Sequence, residues 1–373
     1  MRKRRVPAPV IAVMLVLLSL VATVGARTDR IDDFVAAQMK TFALPSVSLA
    51  VVEDGKVTKL GSYGMADVAR GTPAAPETVY KIGSVSKQFI ATGIMLLVQD
   101  GRLKVDDPIS RYLEGTPPAW QPITIRHLLT HTSGIVRESP AFDPMKVQSD
   151  ADVIKAAYPL PLRFEPGSKW EYCNVGYFAL AQIITKVSGQ PWTQFMHERV
   201  FKPAGMMVTA PTNVTPTLPN RALGYAGKDN QKLADDWIAL RPSGAFLSTV
   251  GDLAKWDALL YTNKILSEAS RREMWTRARL NDGSTADYGF GWQIDTLKKS
   301  GRHVVGHGGS LPGFRAYFAR YTDEQVTVIL LTNGEDVGLA EVANGIAEIY
   351  LTDRPQPAPS SPGRGNQRKL RSR

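Results

Sequence analysis

Ser84-Val85-Ser86-Lys87-Gln88-Phe89-Ile90-Ala91-Thr92-Gly93-Ile94-Met95-Leu96-Leu97-Val98-Gln99-Asp100-Gly101 is the stretch around which the chain organises itself. From Ser86 to Gln99 it is apolar almost all round, with Phe89, Ile90, Ile94, Met95, Leu97 and Val98, so it reads as a helix buried on every side. Asp100-Gly101 closes it, because glycine accepts the left-handed backbone at a helix end.

Upstream, Ile31, Phe34, Val35 and Met39 recur at helical spacing and predict an amphipathic helix over about Thr28 to Lys40. Two strands follow, Val47 to Glu53 and Lys56 to Tyr63, flanking Asp54-Gly55, a pair that accepts the positive φ angles of a tight hairpin. Downstream, the pattern is mostly helical and broken by proline and glycine until about residue 285. Strand character then returns at Tyr288–Ile294, Arg302–Val305, Phe314–Arg320 and Gln325–Thr332, and a helix from about Leu339 to Leu351 ends the fold. Strands at both ends of a helical middle imply one sheet assembled from the two termini. The expected fold class is α+β: an antiparallel sheet flanked by terminal helices, with an inserted, mostly helical domain. The sheet part spans about 27–83 and 286–351, the helical part about 84–285, and no internal repeat is present.

The chain has 373 residues, 43% hydrophobic and 21% charged, enough for a sizeable core and too apolar for disorder. Its formal charge of +10 lies mostly at the ends. Four basic residues fall within 1–26; six basic and one acidic fall from Thr352 onward, which leaves a body of 35 basic against 34 acidic residues. A body this close to neutral has no electrostatic footprint for nucleic acid. Arg2, Lys3, Arg4 and Arg5 precede an apolar run from Val10 to Val24, and Val24 and Ala26 fit a signal-peptidase site. Residues 1–26 are read as a signal peptide cleaved after Ala26, with an uncleaved membrane anchor as the alternative; both take the catalytic part out of the cytoplasm, to the periplasm or the medium. The basic tail 352–373, rich in proline, serine, glycine and arginine, is expected to be disordered. Membrane contact is expected only through this tail or the N-terminal segment. Cys173 is the only cysteine, so no intrachain disulfide can form.

Three segments carry chemistry. Ser84 and Lys87, three apart at the start of a helix, project from one face and can share a proton. Because the helix is apolar, Lys87 is held from water, which lowers its pKa and lets it act as a base. The helix start also offers backbone N–H groups to a developing oxyanion. Tyr172-Cys173-Asn174 is the second: a phenol near a lysine can relay a proton, and an amide can hold a substrate carbonyl. Tyr261-Thr262-Asn263 has the same spacing, but the Pro166-Gly167 turn favours Tyr172. The third is His307-Gly308-Gly309-Ser310, after a short strand, where glycines let a substrate lie along the strand edge and the Ser310 N–H faces the oxyanion.

In this order the three segments resemble the serine β-lactamase and DD-peptidase superfamily, specifically its class C-like branch, which has Tyr-x-Asn as its second motif. Asp106-Asp107-Pro108, the run from Ile125 to Gly134, Gly205-Met206, Ser243-Gly244-Ala245 with Ser248-Thr249, and Leu331-Thr332-Asn333 are similar to further landmarks of that family, so the resemblance covers about residues 28–351. It implies Ser84 as the acyl-forming nucleophile, Lys87 and Tyr172 as proton-transfer partners, Asn174 as a substrate contact, and the Ser84 and Ser310 N–H groups as oxyanion hole beside Gly309. There are two departures. His307 stands where dedicated class C β-lactamases carry lysine, and Cys173 where a small residue is usual. A histidine there, neutral or positive near pH 7, is found in relatives acting as D-amino-acid peptidases or esterases and would bind a carboxylate less reliably than lysine does.

His127 and His131 are four apart, but Leu128-Leu129-Thr130 between them supplies no third metal ligand, and His303 and His307 are too far apart on a strand to share an ion. No dinucleotide fingerprint, Walker loop or Gly-x-Ser-x-Gly elbow is present. No metal and no cofactor are therefore expected. The function expected is acyl-enzyme hydrolysis of a small-molecule ester, amide or D-amino-acid peptide, with carboxylesterase or D-peptidase ranked above β-lactamase. The alternative is a penicillin- or muropeptide-binding sensor that acylates slowly or merely binds.

Overall fold

The computed structural model describes residues 30–212, 218–239, 241–244 and 246–352; the signal-peptide and tail readings fall outside these, apart from Thr352. The first helix, α1, covers residues 30–41. It is followed by β1 (Ser46–Glu53), β2 (Lys56–Asp67) and the two-residue β3 (Thr72–Pro73). Asp54 and Gly55 both have positive φ, as the hairpin reading requires. The nucleophile segment is a 3₁₀ turn, Gly83–Ser86, that runs into α2 (Lys87–Gln99). After it come α3 (Val175–Ser188) and α4 (Val250–Leu259), then β4 (Gln293–Thr296), β5 (His303–Leu311), β6 (Phe314–Tyr321), β7 (Val326–Thr332) and α5 (Leu339–Thr352).

The main sheet has seven strands in the order β4-β5-β6-β7-β1-β2-β3. Every pairing in it is antiparallel, and β1 from the chain's start lies beside β7 from its end, with Val47 opposite Thr332. Seven of the eight β1 residues are buried, because helices cover both faces of the sheet. The period of two decides which residue meets which layer. Leu49 and Val51 pack with Ile31 and Val35 of α1 and with Val342 and Ile346 of α5. Ala50 and Val52 point the other way, into the larger core that holds Phe89, Ile90 and Ile94 of α2. Every residue of α2 from Lys87 to Leu97 is buried, so a helix apolar all round has found the centre of the molecule.

Two local expectations shift. The strand placed at Tyr288–Ile294 forms only from Gln293, since residues 288–292 turn over the start of α2, with Gly291 at φ +77 against the Lys87 carbonyl. Conversely, the strand expected to stop at Val305 continues through the glycine motif to Leu311. Glycine has weak strand propensity, but here close backbone approach demands it: a Cβ on Gly309 would stand 2.0 Å from the Ile82 carbonyl oxygen. The middle also contains a small sheet, with Phe246–Ser248 paired to Tyr80–Lys81 and to Ala210–Pro211.

Candidate active site

Ser84 is placed by the packing of the 3₁₀ turn on β5. The Ile82 N–H donates to the Phe246 carbonyl at 3.0 Å, and the Phe246 N–H donates to Ser86 Oγ at 3.1 Å, so the turn is pinned on the far side. On the near side, Gly83 has φ +51, and a Cβ there would lie 2.7 Å from the Ser310 nitrogen. These two bare glycines, 83 and 309, let the Ser310 backbone come down beside Ser84.

Lys87 begins α2 and is fully buried. Its Nζ lies 3.2 Å from Ser84 Oγ, 2.9 Å from Asn174 Oδ1 and 2.7 Å from the Ser243 carbonyl oxygen. The Asn174 amide is oriented from behind, since its Nδ2 donates to Glu138 Oε1. Burial holds the Lys87 pKa well below the usual lysine value; the Arg241 charge lowers it further, Arg137 adds to this, and Glu138 opposes it. A neutral amine has two N–H donors and one lone pair. The two donors go to the Asn174 and Ser243 oxygens, which can only accept, and the lone pair is left for the hydroxyl of Ser84. With its lone pair turned to the hydroxyl, the arrangement can take a proton from Ser84.

Tyr172 presents the opposite electrostatics. Its hydroxyl is buried and makes no hydrogen bond of good geometry among the described residues, and burial raises its pKa although the Ser84 side chain pulls the other way. It is a phenol and not a phenolate, able to give a proton. Lys87 Nζ lies 4.6 Å from its ring centre. His131 braces it: its carbonyl accepts from the Glu171 N–H at 3.0 Å and its Nδ1 from the Cys173 N–H at 3.1 Å, one bond on each side of Tyr172. Burial, reinforced by the Lys87 charge, holds the His131 pKa well below its usual value, so the ring is neutral. In the sequence His131 stands within the landmark run from Ile125 to Gly134 and, with His127, as a rejected metal pair; its left-handed backbone, φ +61, is not legible there. Cys173 is buried beneath, its thiol donating to the Val136 carbonyl.

Asn174 and His307 are both in the cleft, but neither is free for substrate in the way the resemblance implied. The Asn174 amide spans Lys87 and Glu138. His307 is 2% exposed, with Nδ1 2.6 Å from the Gly308 carbonyl and Nε2 2.8 Å from the Tyr288 hydroxyl. A carbonyl only accepts, so Nδ1 carries the proton and Nε2 accepts from Tyr288. Burial, with the nearby Lys87 charge, pushes the His307 pKa down to about 3. A ring so held favours the neutral form near pH 7 and offers no cation there for a carboxylate. Tyr261 packs against the Arg320 guanidinium, with its ring centre 4.7 Å away, and Asn263 accepts from Arg271. Neither lines the clefts that open on Ser84.

Two clefts open on Ser84. One, of about 380 Å³, runs between Asn174, Trp237, Arg241 and Glu335; the other, of about 590 Å³, runs under Trp170, Tyr317, Val337 and Leu339. Tyr172, Ser310, Arg137 and Arg315 line both. The wall residues Glu138, Trp237, Arg241 and Arg315 were missed in the sequence because they carry no motif of their own; Ser243 lay within a run noted there only as a landmark.

The family model described as Beta-lactamase matches residues 31–350, which takes in all three motifs and both halves of the sheet. The chain belongs to the beta-lactamase family. Penicillin-binding protein 4* of Bacillus subtilis (strain 168) is 33% identical over 84% of this chain and 74% of its own length. The D-aminopeptidase of Brucella anthropi is 28% identical over 87% of this chain, which spans 62% of that relative. Among solved structures, the D-amino acid amidase from Ochrobactrum anthropi SV3 complexed with D-phenylalanine matches with a TM-score of 0.75 and 25% identity, over 90% of this chain and 100% of that one. This beta-lactamase-family chain shares with that amidase structure an antiparallel sheet and helices in the same arrangement.

Proposed function

We propose that the protein is an exported serine hydrolase that cleaves an ester, or the amide of a D-amino acid or D-peptide, through an acyl-enzyme on Ser84. The observation that carries this is the coordination of Lys87: of its three hydrogen-bond partners among the described residues, only the Ser84 hydroxyl can donate a hydrogen. Ser84 Oγ attacks the carbonyl carbon while its proton passes to Lys87 Nζ. The resulting oxyanion faces the N–H groups of Ser84 and Ser310. As the tetrahedral intermediate collapses, the leaving oxygen or nitrogen takes a proton relayed through Tyr172, which recovers one from Lys87. Water then attacks the acyl-enzyme by the same route in reverse, releasing the acid and restoring Ser84.

The names of the relatives support a D-amino-acid substrate, and the neutral His307 supports an ester or amide over a β-lactam. Export rests on residues 1–26 and is tested by N-terminal sequencing of protein recovered outside the cytoplasm, which should begin at Arg27.

Steady-state hydrolysis of p-nitrophenyl butyrate, a D-alanyl anilide and a chromogenic cephalosporin, each with a Ser84→Ala control, tests the reaction. Repeated turnover that needs Ser84 upholds the hydrolase. A single labelling of Ser84 by penicillin with no turnover would replace it by a slowly acylating sensor, the reading that likeness to a penicillin-binding protein favours.

A further inference from the structure

The two oxygens that fix Lys87 come from distant parts of the chain, and one side chain stands behind both. Arg241 Nη2 donates to Glu138 Oε1 at 2.6 Å and to Oε2 at 2.7 Å, and Glu138 in turn holds the Asn174 amide. The Nε of Arg241 donates to Ser243 Oγ at 2.9 Å. Lys87, Asn174, Glu138, Arg241 and Ser243 thus form a closed ring of contacts that returns to Lys87. Arg241 itself is held over the Phe142 ring, 4.8 Å from its centre, and near that of Trp237.

We propose that Glu138 and Arg241 are positioning residues for proton transfer from Ser84: they fix the Asn174 amide and the Ser243 carbonyl so that the Lys87 lone pair can face only Ser84. The inference rests on the reading of Lys87 as the base. The physical reason is the two-sidedness of an amide. With Glu138 accepting from Nδ2, Asn174 must offer Oδ1 to Lys87. Without that acceptor the amide is free to rotate, and its NH₂ would then donate to Lys87. The lone pair would be occupied by Asn174 and lost to Ser84. Neither Glu138 nor Arg241 is hydrogen-bonded to Ser84, so their part is to orient.

The same pair acts on the charge of Lys87 in opposite directions, Arg241 disfavouring the ammonium and Glu138 favouring it. The other groups facing Lys87 are Ser84, Tyr172, Tyr177 and the Cys173 thiol, with the Arg137 charge and the neutral rings of His131 and His307 nearby.

The test is a pH series of steady-state kinetics on the full chain with p-nitrophenyl butyrate, comparing Glu138→Ala, Glu138→Gln, Arg241→Met and Lys87→Ala, with thermal melting to confirm folding. Glu138→Ala should lower kcat on the order of 10- to 100-fold, the scale of a misplaced catalytic group. Glu138→Gln keeps an acceptor for Asn174 and should retain most of kcat, yet shift the acidic limb to lower pH because the carboxylate charge is gone. Arg241→Met should lower kcat and shift the limb to higher pH. Opposite limb shifts from two paired residues are not produced by a packing role or by altered substrate binding. If Lys87→Ala is inactive while Glu138→Ala and Arg241→Met keep the wild-type kcat and limb, the positioning role is overturned and the base stands. If Lys87→Ala itself turns over, the base reading fails and this inference with it. Should Arg241→Met not fold, the contrast between Glu138→Ala and Glu138→Gln decides alone.

Discussion

Two lysines six residues apart, Lys81 and Lys87, are both buried, at 2% and 0% exposure, and they do opposite things with that burial. Lys81, on the strand Tyr80–Lys81, donates to the Asp236 carboxylate at 2.5 Å and to the Trp237 carbonyl at 2.7 Å. Burial lowers its pKa, but Asp236 opposes the loss of charge. Among the described residues, Lys87 has no carboxylate as a hydrogen-bond partner, only two uncharged oxygens and a hydroxyl. The desolvation is shared, and the partner decides whether the result is a structural cation or a base.

The contrast breaks most sharply if the two are removed in turn. Lys87→Ala should cost at least ~10³-fold in kcat with the fold intact, whereas Lys81→Met should leave kcat within about threefold; equal losses in both would erase the distinction. A smaller effect probes the contact that brings Ser310 beside Ser84. Gly309→Ala forces a Cβ against the Ile82 carbonyl, so kcat should fall by roughly 100-fold while Lys87 keeps its environment. The pH profile sharpens the point further. Rate should climb with pH as Lys87 loses its proton and level off well below the usual lysine value of about 10.4. His307, pushed down to about 3, should add no inflection near 6.5, and a His307→Asn variant should keep the same acidic limb.

The smallest expected effect concerns stability. Asp236→Asn would leave Lys81 buried without its carboxylate, at a cost of ~1–2 kcal/mol, limited because Asp236 is half exposed and also serves Arg221. The lysine pKa in the folded protein would then fall further below its unfolded value. A group depressed in this way destabilises while it must stay charged, so the deficit should be full where Asp236 is ionised and Lys81 still protonated, and should shrink as pH rises through the folded-state titration of Lys81, which burial holds below the usual lysine value. Urea unfolding of both proteins at several pH values measures this.

What the sequence made legible was local. Ser84 and Lys87 share a helix face at spacing three, and Asp54-Gly55 makes its turn within two residues. The rest depended on approach between distant segments. Glu138 and Arg241 meet across 103 positions, and neither belongs to a motif. The extension of β5 through His307-Gly308-Gly309-Ser310 runs against strand propensity, because the reason for Gly309 is the Ile82 carbonyl in another segment. Asn174 was recognised as a site residue, but its partner Glu138 decides what its amide can do.

The pairing of β1 with β7 also sets a schedule for folding. Val47 and Thr332 lie roughly 285 residues apart, so at a synthesis rate of ~5–20 residues per second the first strand exists for roughly 15–60 s before its partner is made. Through that interval the hairpin of β1 and β2 offers an open apolar edge, and closing so long a loop slows the search for the native register. A newly made chain is therefore most exposed to aggregation just before completion, and a truncation that removes β7 would leave β1 without its neighbour permanently, however intact the residues around Ser84 are.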